Sequence, residues 1–120
     1  MKYPNLEKLV DIIAVLRSEN GCEWDREQTH KSLRPNMLEE AYEAVDAAVK
    51  NNDVENQREE LGDVLLQVVL HAQIAKDDGE FDIEDVAKEL SDKLIHRHPH
   101  VFGNTEVHST QEILDNWDKL

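Results

Sequence analysis

Apolar residues return every three or four positions along nearly the whole chain, the period of helices that bury one face. Leu6, Leu9, Val10, Ile13 and Leu16 set out a first amphipathic helix that closes near Asn20 and Gly21. A polar stretch, "NGCEWDREQ", reads as a loop. A second helix is predicted over about 33–50, with Pro35 in its first turn, where a missing N–H costs nothing. Asp53 is placed to cap a third, which runs to about residue 76 with Leu61, Leu65, Val68, Ala72 and Ala75 spaced four, three, four, three. After the turn "DDGEFD", Asp82 caps a fourth with Ile83, Val86, Ala87, Leu90 and Leu94 inward, and Pro99 ends it. Ser109 and Glu112 form a capping-box pattern for a short last helix holding Ile113, Leu114 and Trp117. No β-branched run suggests a strand. The pattern predicts an all-α fold of the four-helix-bundle type with a short extra C-terminal helix, in one domain over 1–120.

The third helix carries apolar residues on two faces. At about 100° per residue, Leu61, Val64, Leu65, Val68, Val69 and Ala72 form a main stripe, and Leu66 and Leu70 lie roughly opposite. A lone bundle needs one apolar face. The expectation is that the main stripe meets the chain's own core and that Leu66 and Leu70 meet a second copy of the chain.

Glu60 and Asp63 fall in the gap between those stripes, with Gln67. They are spaced i,i+3, so both carboxylates share one side of the helix. The second helix repeats the device in "MLEEAYEAVD", where Glu40 and Glu43 are also i,i+3. Two such helices side by side can aim four carboxylates at one point. Those charges repel unless a multivalent cation sits among them, and an all-oxygen ligand set suits Mg²⁺, with Mn²⁺ as the alternative. Solvated acidic helices are the bland reading, and two pairs on successive helices flanked by apolar stripes weigh against it. A di-iron carboxylate bundle needs E-x-x-H on two helices, and Glu27 to His30 is the one such pair. Gly62, between the two acids of the third helix, costs about 1 kcal/mol against alanine, which suggests a close approach there.

Charge narrows the partners. The formal net charge is −14 and the pI about 4.7, so nucleic acid is not an expected partner. "VLLQVVL" is too short to span a bilayer, and the start of the chain lacks the apolar core of a signal peptide. Cys22 is the sole cysteine, which suits a reducing cytosol. A cytoplasmic protein that does not engage membranes is expected.

Four segments in order resemble one family. "LEEAYE" followed by "EELGD" is similar to the EExxE…ExxD signature of the MazG-type nucleoside triphosphate pyrophosphohydrolases. "GCEWDREQTH" resembles their CPWDxxQT loop, "SDKLIHRHPHVFG" their DKLxRRHPHVF segment, and "ILDNWDKL" their terminal helix. The likeness runs from about residue 6 to 120. Glu23 stands where the family usually has proline, and longer relatives carry two such domains in tandem. The resemblance implies Mg-dependent hydrolysis of NTPs or dNTPs to the monophosphate and pyrophosphate, in nucleotide-pool housekeeping. Glu40, Glu43, Glu60 and Asp63 would be the metal ligands, and Glu39 a residue that orients the attacking water. It implies that Lys93 and Arg97, one turn apart, face the triphosphate, and that the chain forms a homodimer or a dimer of dimers.

Trp24 and Asp25 could stack on a base and read its edge, or Trp24 could anchor its loop to the core; Trp117 could line the same pocket or the core. His96, His98 and His100 straddle Pro99, which works against convergence on zinc, and Cys22 has no base beside it in sequence. A non-catalytic nucleotide-binding helical dimer with a regulatory role stays open as the second reading.

Overall fold

The computed structural model describes residues 2–48, 53–103 and 109–119. Among them are seven helices and no strand: α1 Pro4–Leu16, α2 Glu23–Glu27, α3 Arg34–Asp46, α4 Val54–Asp77, α5 Ile83–Arg97, α6 Pro99–Phe102 and α7 Thr110–Lys119. They gather into two compact units, residues 1–82 and 83–120, each described by itself. Lys50, at the predicted end of the second helix, and the side chain of Trp117 lie outside the described residues.

In the first unit α4 is the spine, with α3 and α1 both packed on it. Asp53 caps it as the sequence predicts, its Oδ1 accepting from the amides of Glu55 at 3.1 Å and Asn56 at 3.2 Å. Its far end closes on Gly79 at φ 73°, with the Glu80 amide bonded to Ala75 O at 2.9 Å and the Gly79 amide to Lys76 O at 3.0 Å. That is the Schellman arrangement, which needs a left-handed residue there. The buried apolar side chains of this unit are Ile13, Leu33, Ala47, Val69, Leu70, Ala72, Ile74 and Ala75.

Two expectations are corrected here. The main stripe enters this core only at its far end, through Val69 and Ala72: Leu61 is 57% exposed and Leu65 38%, whereas Leu70, expected to meet a second copy, is 4% exposed and Leu66 half-buried. The wheel finds two apolar faces correctly but cannot tell which one the chain's other helices will cover. The stretch read as a loop also contains a helical turn, α2, too short to show a period. Glu23 and Asp25 favour its N-terminus. Its C-terminal carbonyls are held by Arg17, whose guanidinium donates to Asp25 O and to Gln28 O at 3.1 Å and pairs with Asp77 at 3.0 Å. Gly21 lets the chain turn back under α1, since a Cβ there would meet Val15 O at 2.2 Å and Leu16 O at 2.4 Å.

In the second unit α5 begins beyond Asp82 and stops at Arg97. Pro99 ends it as predicted, then opens the single turn α6, since proline fits the first position of a helix. Ser109 Oγ accepts from the Glu112 amide at 3.2 Å at the start of α7, half of the expected capping box.

Candidate metal centre

The pairing of α3 with α4 turns two i,i+3 acidic pairs into one cluster. Oxygens of Glu40, Glu60 and Asp63 all lie within 4.8 Å of one another. The Glu43 carboxyl is hydrogen-bonded to the side chain of Glu60. Glu39, one position before Glu40, is exposed, and its charge still acts on Glu40. All five acids singled out in the sequence are thus brought into one neighbourhood.

The electrostatics are those of a crowded anion site. Burial lifts the Glu40 carboxyl above the usual carboxylate range, and the charges of Asp63, Glu43 and Glu39 push it further. Glu60 is raised by burial, then by the charge of Glu43 and the hydrogen bond with it, then by Asp63 and Glu40. Glu40 Oε2 and Glu60 Oε2 are both shut off from water with no hydrogen-bond partner among the described residues. Enclosed carboxylate oxygens without donors are costly on their own. A hard divalent cation answers both the repulsion and the missing donors, and an all-carboxylate set is the kind such ions take. The residues present fit a metal. Gln67, one turn beyond Asp63 on α4, is 5% exposed, and its Oε1 also lacks a partner.

The remaining candidates sit on other elements. Trp24 is 56% exposed on α2, so it does not anchor that segment in the core. Asp25 is half-buried beside it. Lys93 and Arg97 are one turn apart on α5, in the second unit. Two groups escaped the sequence reading. Arg17 works through backbone carbonyls, which leave no mark in a sequence. His30 and His71 lie 41 positions apart and meet only through the fold.

The MazG nucleotide pyrophosphohydrolase domain, as a family model, matches residues 28–102, which include both acidic pairs and the α5 cations. The chain belongs to the MazG family. The nucleoside triphosphate pyrophosphohydrolase/pyrophosphatase MazG of Thermotoga maritima is 57% identical to it over 106 residues, covering 88% of this chain and 41% of that protein. The nucleoside triphosphate pyrophosphohydrolase of Escherichia coli K12 is 44% identical over 116 residues, covering 96% of this chain and 44% of that one. This MazG chain therefore spans less than half the length of either relative. A crystal structure of a mazG-related protein from Thermotoga maritima superposes with a TM-score of 0.75 at 32% identity, over 94% of this chain and 96% of that one. The MazG fold and the all-helical architecture agree.

Proposed function

We propose that residues 1–120 work as one nucleotide pyrophosphohydrolase domain that splits nucleoside triphosphates into the monophosphate and pyrophosphate, with Mg²⁺ held by Glu40, Glu43, Glu60 and Asp63. The observation that carries this is the convergence of Glu40, Glu60 and Asp63 within 4.8 Å, with enclosed and unpartnered oxygens, in a chain of this family. When bound, the cation supplies Lewis-acid stabilisation of charge on the phosphate oxygens. The chain does the rest. Glu39 orients a water toward the α-phosphorus and takes its proton. The water oxygen bonds to that phosphorus, the bond to the bridging oxygen breaks, and pyrophosphate leaves with the electron pair. Lys93 and Arg97 meet the negative charge of the triphosphate. Trp24 stacks on the base and Asp25 reads its edge. A surface with net charge −14 argues against nucleic acid as partner. No helix among the described residues is long and apolar enough to cross a membrane; a cytoplasmic setting and nucleotide-pool housekeeping are part of the proposal.

A homodimer belongs to the same proposal. Leu38, Tyr42 and Val45 make an exposed stripe along α3, at 71%, 71% and 63%, and Leu61 and Leu65 make another on α4. Stripes of this kind flanking the acids suit a second copy of the chain.

The test is a mixed NTP pool with Mg²⁺ in ¹⁸O-labelled water. Pyrophosphate should appear, the label should enter the monophosphate, and EDTA should stop the reaction. Asp63→Asn should abolish turnover and weaken Mn²⁺ binding read by electron paramagnetic resonance. Lys93→Ala and Arg97→Ala should lower kcat/KM. Orthophosphate plus a diphosphate as products, or full turnover in Asp63→Asn, would overturn the assignment.

A further inference from the structure

The segment between α1 and α3 carries Trp24 and Asp25, and it is tied down at two places. Arg17 holds the α2 carbonyls and is itself anchored by Asp77 of α4. The second tie lies just before α3. His30 Nδ1 and His71 Nδ1 approach to 2.7 Å, with ring centroids 5.0 Å apart and planes within 3° of parallel. A contact this short between two ring nitrogens needs one proton between them. With no proton there, two lone pairs face each other; with both rings protonated, two N–H groups collide and two positive charges meet edge to edge. His71 is half-buried and its Nε2 is enclosed without a partner, while His30 is exposed. One proton therefore lies between the rings, donated by one Nδ1 to the other, and burial opposes a positive charge on His71. The second proton breaks the contact.

We infer that His30 and His71 are a positioning pair that holds the α2–α3 segment against α4 and lets it go when both rings are protonated, so that nucleoside affinity, and not the chemical step, falls in acid. The inference rests on the reading above that Trp24 and Asp25 meet the nucleoside. Burial, and then the charge of His30, lower the pKa of His71 from its ordinary 6.5. The folded value lies below the free one, so the tie is fully present above about pH 6.5 and is lost as pH falls through the folded value. Among the charged groups on and beside the packed elements are Arg17 just after α1, Glu23, Asp25, Arg26 and Glu27 on α2, Lys31 beside His30, Arg34 on α3, and Lys76 and Asp77 on α4. Arg17 and Asp77 are committed to each other. One turn either side of His71 on α4 stand Gln67, Val68, Ile74 and Ala75, none of them ionisable.

The experiment compares wild type, His71→Phe and His30→Phe from pH 8 to 5. Phenylalanine keeps a flat ring and takes no proton, and His30→Phe, at an exposed site, guards against a folding failure at position 71. Protonation of the substrate is common to all three proteins and cancels in ratios. Wild-type KM should rise by about tenfold per pH unit below the second protonation, relative to either variant, while the kcat ratio stays flat. In substrate-free protein, nitrogen-15 spectra of the rings should show two separate steps, with amides of residues 23–29 moving on the second. Rings that titrate independently with those amides still, or a KM profile shared by all three proteins, would overturn the inference. A chain that hydrolyses no NTP at any pH would refute the function proposed above, and the ring titration would still decide the tie.

Discussion

Replacing Leu70 by alanine and, separately, Leu61 by alanine tests which face of α4 belongs to the protomer. Leu70 is 4% exposed on α4, the helix on which α1 and α3 pack. Removing its branched end costs the lost transfer energy and leaves a cavity, about 3 kcal/mol at a site of this burial. For a chain of this size that is a fall of roughly 10 °C in Tm. Leu61 is 57% exposed, so its truncation should cost the protomer less than about 0.5 kcal/mol. Its effect should come through association instead. The assay is urea denaturation followed by circular dichroism at several protein concentrations, with sedimentation equilibrium alongside. The Leu70→Ala loss should be the same at every concentration. The Leu61→Ala loss should grow as association becomes limiting, with a weaker dimer in the centrifuge. A Leu70→Ala protein within about 1 kcal/mol of wild type, or a Leu61→Ala loss independent of concentration, would refute the assignment of faces.

Gly62→Ala should raise protomer stability by about 1 kcal/mol, because a Cβ there meets nothing within 4 Å and alanine is the better helix former; thermal melts in EDTA check it, and a lower Tm would mean that a second chain approaches this turn. In metal-free protein the Glu40 and Glu60 carboxyls should contribute stability that grows as pH falls toward 4.5, opposite in sign to the contribution of the histidine pair. The Glu40 and Glu60 carboxyls titrate above their ordinary 4.5 in the fold, so the folded state takes up protons first. Melts of wild type against Glu40→Gln/Glu60→Gln isolate the effect, which saturating Mg²⁺ should remove.

The sequence by itself determined the helical class, the cap at Asp53, the helix stop at Pro99 and the identity of the acids. Each of these is a local matter. Helical period, a side chain that bonds an amide two or three residues on, and a proline that bars the residue before it all act within one turn. The acids were legible for a similar reason: i,i+3 spacing fixes a shared face whatever the helix packs against. What α4 buries was a tertiary decision. Leu61 and Leu70 are alike in kind, and α1 and α3 covered one and left the other open. Gly62 sits between two acids with space around it, and the close approach expected there is not found among the described residues. Only the pairing of α3 with α4 brought Glu40 to Glu60 and Asp63, enclosed their oxygens and raised their proton affinity. The same packing put His71 against His30 and Arg17 beneath α2. Those contacts depend on side chains meeting across tens of residues, and no local period in the chain encodes which two will meet.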